Sequence, residues 1–198
     1  MDRVLAGQRE CFHDLVRPYE RSIYITAFAV LRNQADAEEA AQEAVLKAMT
    51  HLHQLSDPAK FKGWLLQIAA NEARLKRRSR REELYDSIDI EESSDGNFMP
   101  RDFADWREIP SETLERKEVR QAVAKSLARL PEIYRQIFVL RDVEELSISE
   151  CCEILGISEE AVKVRLHRAR LRIREELAPV FRANWFSRVL SFKGKRPW

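Results

Sequence analysis

The residue types that interrupt or cross-link protein chains are scarce in this sequence. Only five glycines and seven prolines occur among 198 residues, of which 44% are hydrophobic and 34% charged. Few turn-forming residues, set among abundant Ala, Leu, Glu and Arg, favour long helices over a sheet of short strands. We therefore expect an all-α protein.

Signals for disulfides, membrane spans and secretion are also missing. The cysteines are Cys11, Cys151 and Cys152, and an odd number with two adjacent residues does not suit a disulfide framework. No apolar run approaches the ~18 residues needed to span a bilayer, and the N-terminal residues do not form a signal peptide. These absences predict a cytoplasmic protein.

No set of side chains suggests catalysis or a cofactor. There is neither a Gly-rich phosphate loop nor a nucleophile elbow. His51 and His53 are two residues apart on a predicted helix, so they point in different directions and make a poor metal pair. A metal or redox role for the paired cysteines is disfavoured, and we expect Cys152 to face the core and Cys151 to be more exposed. We expect no enzyme activity, cofactor, metal or small-molecule substrate.

What the sequence does have is charge arranged in blocks. The formal net charge is only +1, yet residues 74–81 and residues 163–174 each hold six Lys or Arg. Two separate basic surfaces predict two contacts with a polyanion. Between them, residues 85–112 are acidic, contain Gly and Pro, and lack a sustained hydrophobic period. We interpret this stretch as a flexible linker.

The first 84 residues predict a helical unit. A helix is expected over 9–32, and a second helix is expected to be capped by Asp36, with Glu39 completing a capping box. The second helix has an apolar face made of Ala37, Ala40, Ala41, Ala44, Val45, Ala48, Met49 and Leu52. A third helix starts near Lys62 and carries a possible phosphate-binding side at Asn71, Arg74, Arg77, Arg78 and Arg81. A solvated charged face is an equal alternative for that side.

Residues 113–178 predict a second helical unit that ends in a helix-turn-helix. Ser111 is its expected first cap, and Pro131 opens its second helix. Ser147 and Glu150 form a capping-box pattern, Gly156 follows in a short turn, and a strongly basic helix comes next. This order is typical of DNA-binding proteins.

The basic helix has a clear inside and outside. Its predicted buried face comprises Val162, Leu166, Ala169 and Ile173. The residues expected to face the major groove, where Lys and Arg bond guanine edges and phosphates, are Lys163, Arg165, His167 and Arg168. The alternative is a solvated charged helix, closed by ion pairs with Glu175 and Glu176.

Three blocks in this order resemble the extracytoplasmic-function (ECF) sigma factors of bacterial RNA polymerase. They are DAEEAAQEAVLKAMTHL (36–52), FKGWLLQIAANEARLKRRSRRE (61–82) and residues 130–177. The resemblance implies a sigma-2 helical bundle over 1–84 and a sigma-4 helix-turn-helix domain over 113–178, joined by the acidic linker. The chain departs from the family where Glu150-Cys151-Cys152 replaces the usual Glu-Ile-Ala.

The resemblance also implies binding roles. The resemblance implies that Glu39, Gln42 and Glu43 would contact the clamp helices of the polymerase's largest subunit. The loop that captures an extruded base of the minus-ten element contains Lys60 and Phe61. The same element would be held by Asn71, Arg74, Arg77 and Arg78. The duplex minus-thirty-five element would be read by Lys163, Arg165, His167 and Arg168. The implied partners are core RNA polymerase, promoter DNA and an anti-sigma factor.

Residues 179–198 form an amphipathic C-terminal extension that the family pattern does not require. It could fold back on the sigma domains, grip polymerase or an inhibitor, or lie on a membrane surface. Two other functions compete with the sigma factor. A free-standing helix-turn-helix regulator that binds an operator as a dimer would leave the first unit without purpose. A helical adaptor that does not bind DNA would not need so basic a recognition helix.

Overall fold

The computed structural model describes residues 11–86 and 114–192, with the side chains of residues 11–81 and 122–178. Every regular element in these ranges is helical, which confirms the all-α class. The first half contains α1 (Cys11–Val16), α2 (Glu20–Leu31), α3 (Gln34–His51) and α4 (Phe61–Asp86). The second half contains α5 (Leu114–Arg129), α6 (Glu132–Phe138), α7 (Ile148–Leu155) and α8 (Glu159–Phe192). Residues 87–113, which hold most of the predicted linker and the expected cap Ser111, lie outside the described residues.

The helix predicted over 9–32 is divided at Pro18. A tight 3-10 turn, Arg17–Tyr19, separates α1 from α2, with Pro18 among its first residues. Proline lacks an N–H and its ring clashes with the preceding helical turn, so a continuous α-helix is disfavoured there. The helix α2 ends at Arg32, which adopts the left-handed conformation with φ 57°.

The predicted capping box at Asp36 was wrong, because the N-cap of α3 lies three residues earlier. Asn33 is the N-cap, and its Oδ1 accepts a hydrogen bond from the Asp36 N–H at 3.1 Å. Asn and Asp are about equally good N-cap residues, so a cap at Asn33 is as favourable as one at Asp36 and gives a longer helix. The Asp36 carboxylate instead pairs with Arg80 of α4.

The predicted apolar face of α3 is confirmed. Ala37, Ala40, Ala44 and Ala48 are fully buried, and these small side chains allow α3 to pack closely against α2 and α4. Three ion pairs between α3 and α4 join Asp36 to Arg80, Glu39 to Lys76, and Lys47 to Glu72. These contacts fix α3 along the length of α4.

The helix-turn-helix forms as the local signals predict. The Glu150 N–H donates to Ser147 Oγ at 3.2 Å, and Glu150 Oε2 accepts from the Ser147 N–H at 2.7 Å. Gly156 ends α7 in the left-handed region with φ 64°, where a side chain would be strained. The predicted buried face of α8 is also confirmed, since Val162, Leu166, Ala169 and Ile173 are all buried.

The predicted placement of the paired cysteines was reversed. Cys151 is fully buried beside Ile154, whereas Cys152 is half-buried against the same core. Both positions fit the apolar side of α7. The neighbouring helices that cover this side decide which of them is sealed from solvent.

We expect this burial to govern thiol chemistry. Desolvation raises the pKa of Cys151 to about 11, so little reactive thiolate forms at pH 8. A maleimide should therefore label Cys152 of the native protein at least tenfold faster than Cys151, with peptide mass spectrometry locating the label. Equal labelling of both residues in urea is the control, and rapid labelling of Cys151 in the native protein would contradict the prediction.

The two halves pack against each other, which the sequence did not predict. Each of two hydrophobic clusters contains residues from both halves, for example Leu65 with Ile137, and Phe28 with Val139. Arg135 lies in this interface with only 2% of its surface exposed. Its Nε donates to the Ala29 carbonyl oxygen of α2 at 2.7 Å. The interface is therefore a packed core with a polar contact inside it.

The last helix is longer than the predicted domain. The backbone of α8 continues through Pro179 to Phe192, so the C-terminal extension begins as part of the recognition helix. The side chains of this extension, on which its predicted docking depends, lie outside the described residues. No helix within the described ranges is both long and apolar enough to cross a membrane.

Candidate polymerase and DNA interfaces

One side of α3 carries an acidic and apolar surface. Glu39, Gln42, Glu43 and Leu46 are all exposed, and their spacing of three or four residues puts them on one side of the helix. We call these four residues the α3 face. Glu39 Oε1 lies 2.6 Å from Lys76 Nζ, which orients the carboxylate at one end. Leu46, which the sequence analysis did not single out, is 53% exposed at the other end.

The start of α4 separates the two residues predicted in the base-capturing loop. Lys60 is exposed at the end of the turn Pro58–Lys60, which Asp57 caps by accepting from the Ala59 N–H at 2.9 Å. Phe61 is only 4% exposed, and its ring centroid lies 5.6 Å from that of Tyr19. The structure therefore puts Lys60 at the surface and Phe61 in the core beneath it.

Two of the residues predicted on the basic side of α4 contact each other. Arg74 donates to Asn71 Oδ1 at 3.0 Å, one turn apart on the helix. Burial lowers the pKa of Arg74, and repulsion from Arg77 adds to the effect. Arg78 is exposed on the same side. Asn71, Arg74 and Arg78, three of the four α4 residues predicted to hold the minus-ten element, thus lie on one side of the helix.

Arg77 is the exception, because it faces the second half of the protein. Its guanidinium forms an ion pair with Glu132 at the start of α6. At the start of α4, Lys62 Nζ donates to the Glu144 carbonyl oxygen at 2.6 Å and lies 3.1 Å from the Glu144 carboxylate. In this arrangement Arg77, which is predicted to hold the minus-ten element, is paired with the Glu132 carboxylate instead.

Contacts behind the recognition helix α8 hold it in place. Arg170 makes a two-pronged contact with the Asp142 carboxylate, at 2.8 and 2.5 Å. Two parallel hydrogen bonds of this kind fix direction as well as distance. The Arg172 guanidinium carbon lies 5.1 Å from the centroid of the Tyr134 ring, a cation–π contact. These two arginines therefore tie α8 to the preceding helices, just beyond the exposed residues Lys163, His167 and Arg168.

The exposed side of α8 includes most of the predicted groove-facing residues. Lys163, His167 and Arg168 are exposed, whereas Arg165 is half-buried at the edge of the helix. Lys163 Nζ lies 2.7 Å from Glu159 Oε1, and this hydrogen bond raises the pKa of the lysine. Val164, which the sequence reasoning did not single out, is exposed among them.

Comparison with known proteins gives the family. The model for Sigma-70 region 2 matches residues 15–83, and the model for Sigma-70, region 4 matches residues 120–173. The ECF RNA polymerase sigma factor SigW of Bacillus subtilis is 30% identical over 175 residues, which cover 88% of this chain and 93% of that protein. The chain belongs to the ECF sigma factors. The resemblance found in the three sequence blocks is therefore confirmed.

Further relatives agree with this assignment. The ECF RNA polymerase sigma-E factor of Escherichia coli K12 is 28% identical over 188 residues. These residues cover 92% of this sigma factor and 94% of the Escherichia coli protein. The solved structure of the sigma factor RpoE in complex with the anti-sigma factor NepR, from Bartonella quintana, has the same fold. Its TM-score is 0.64 at 22% identity, covering 84% of this chain and 96% of that chain.

Membership in this family establishes the general activity. The protein is a sigma factor that directs RNA polymerase to promoters for the initiation of transcription. The alternative of a free-standing operator-binding regulator is not favoured. Region 2 corresponds to the first helical half and region 4 to the second, so the α3 face lies in region 2 and the recognition helix in region 4.

Proposed function

We propose that this sigma factor binds core RNA polymerase through the α3 face and contacts promoter DNA at two separate surfaces. The basic side of α4, with Asn71, Arg74 and Arg78, holds the minus-ten element together with Lys60 in the turn before the helix. The exposed side of α8 reads the duplex minus-thirty-five element. It acts in the cytoplasm without catalysing a reaction itself, and an anti-sigma factor regulates it.

The observation that carries this proposal is the separation of surface chemistries. The α3 face is acidic and apolar, which suits a protein partner with a basic groove. The exposed residues of α4 and α8 are mainly basic, which suits phosphate and base edges. Each surface is carried on a helix whose opposite side is buried in the core, so each is rigid before binding.

The packing of the two halves supports an ordered assembly. Arg77 must leave Glu132 before it can join Arg74 and Arg78 on DNA, whereas Lys163 and Arg168 are already exposed. Polymerase that binds the two halves at different positions would separate them and release Arg77. The second half would then dock on duplex DNA while the first stabilises the opened strand.

Run-off transcription with bacterial core polymerase and a library of promoter sequences tests the proposal. New start sites that depend on the added protein are expected, and their aligned sequences would give both promoter elements. If the protein binds polymerase but starts no transcription, the same assay with the chain truncated at Pro179 would reveal inhibition by the extension. Failure to bind core polymerase would contradict the proposal.

Alanine in place of Lys163 or Arg168 should reduce promoter-specific transcription by about tenfold, because a good base contact is worth about 1–3 kcal/mol. Arg165→Ala should also weaken transcription, although less, since Arg165 is half-buried at the helix edge. Core polymerase binding should be unchanged, because these residues lie away from the α3 face. The measurement is run-off yield at limiting holoenzyme concentration.

Arg172→Ala is the matched control for Arg168→Ala. Both are exposed arginines on α8, but the Arg172 guanidinium faces Tyr134 instead of the groove-facing side. We expect it to retain promoter choice. Full transcription by the Lys163, Arg165 and Arg168 variants alike would exclude α8 as the minus-thirty-five reader.

A further inference from the structure

An exposed, branched apolar side chain lies at the centre of the basic recognition surface. Val164 is 48% exposed, and Lys163, His167 and Arg168 surround it on the same side of α8. With 3.6 residues per helical turn, Val164 is close to half a turn from the centre of the buried face. It therefore points as directly away from the protein core as any residue in this half of the helix.

Folding does not account for a valine at this position. Among the described side chains, Val164 belongs to neither of the two hydrophobic clusters. On an exposed helical surface, valine is a poorer helix former than Ala, Lys or Arg, because its branched side chain loses rotamer freedom. The side chain thus costs some helix stability and gains no core contact in return.

We propose that Val164 contacts the C5-methyl group of a single thymine in the minus-thirty-five element and so makes that position thymine-specific. Among the standard DNA bases only thymine presents a methyl group in the major groove, and small apolar side chains are its usual partners. Val164 lies in the N-terminal half of the recognition helix, the part that enters the groove. This inference rests on the proposed reading of that element by α8.

The flanking charges give the contact its register. Lys163 and Arg168 lie on either side of Val164 and can bond phosphates or guanine edges. Such bonds fix the height and rotation of the helix in the groove, whereas the valine side chain discriminates by shape and polarity. A promoter with cytosine at this position would lose the methyl contact and place an amino group against the valine instead.

Single deoxyuridine substitutions test the contact, because they remove only the methyl group of a thymine. Holoenzyme is assembled from core polymerase and the full-length protein, and its affinity is measured for promoter fragments in which each minus-thirty-five thymine is replaced in turn. At one position the wild-type holoenzyme should lose about fourfold in affinity, the effect of removing one buried methyl group.

The Val164→Ala holoenzyme should bind the unmodified promoter about fourfold more weakly and lose nothing further at that position. Alanine favours the helix, so the variant should fold. Ile133→Ala is the matched control: Ile133 is 47% exposed and lies outside the recognition helix, so this holoenzyme should keep the full response to deoxyuridine.

Two results would overturn the inference. One is an equal deoxyuridine effect in the wild type and in Val164→Ala, and the other is no thymine at which deoxyuridine matters. In both cases binding that still depends on the minus-thirty-five sequence would leave the proposed function intact. Binding that is indifferent to that whole element would instead reject the reading by α8, and the methyl contact with it.

Discussion

Replacing Arg135 with alanine should lower the free energy of unfolding by about 3 kcal/mol. The guanidinium is buried between the halves, where Nε donates to the Ala29 carbonyl at 2.7 Å and NH1 donates to the Leu130 carbonyl at 2.8 Å. Alanine would leave both buried carbonyls without these donors, at about 1–3 kcal/mol each. The variant also no longer buries a charged guanidinium, which is unfavourable, and this gain offsets part of the loss in stability.

The electrostatic setting explains how a buried arginine is tolerated. Desolvation lowers the pKa of Arg135 to about 10, and repulsion from Arg32 and Arg77 opposes the attraction of Glu132. The group therefore stays charged at neutral pH. Ala29 lies in the last turn of α2, where the helix dipole favours a positive charge. Arg135 thus joins the second half to the negative end of a helix in the first half.

Urea unfolding followed by circular dichroism measures this effect, and the melting temperature should fall by about 9 °C. Arg129→Ala is the matched control, because that side chain is 74% exposed and its ion pair with Glu176 is long, at 3.8 Å. A surface pair of this kind contributes at most about 1 kcal/mol. Equal stability of the two variants would mean that Arg135 does not hold the halves together.

Local chemistry explains why the helix-turn-helix was predictable. The capping box joins Ser147 and Glu150, three residues apart, and Gly156 ends the helix by its own backbone freedom. The buried side of α8 follows from a single helical period through Val162, Leu166 and their successors. Each of these features depends on neighbours in the sequence, so the sequence is enough to locate it.

Contacts between distant segments explain what was not predictable. Arg135 and Ala29 are 106 residues apart, and nothing local distinguishes Arg135 from a solvated helix arginine. The same holds for Cys151, which is sealed from solvent by helices that pack onto α7, and for Phe61, which packs on Tyr19 of another element. The candidate binding surfaces could be located as helix sides, but which residues stay exposed there depends on this packing.

Charge reversal at Glu43 should remove most of the affinity for core polymerase. Glu43 is exposed near the middle of the α3 face, between Glu39 and Leu46. Under the proposed function it meets a basic groove, and placing like charges together in an interface costs several kcal/mol. We expect Glu43→Lys to bind core polymerase at least about tenfold more weakly. Fluorescence anisotropy of the labelled protein, titrated with core polymerase, measures the loss.

The fold should survive this substitution, since an exposed residue away from the core usually changes stability by no more than about 0.5 kcal/mol. Glu153→Lys makes the same charge change at an exposed residue of α7, outside the α3 face. That variant should keep its affinity, apart from a small, salt-sensitive decrease. Leu46→Ala should weaken binding without any change in charge, because it removes apolar contact area. If Glu43→Lys and Glu153→Lys bind alike, net charge alone controls affinity and the α3 face is not the polymerase contact.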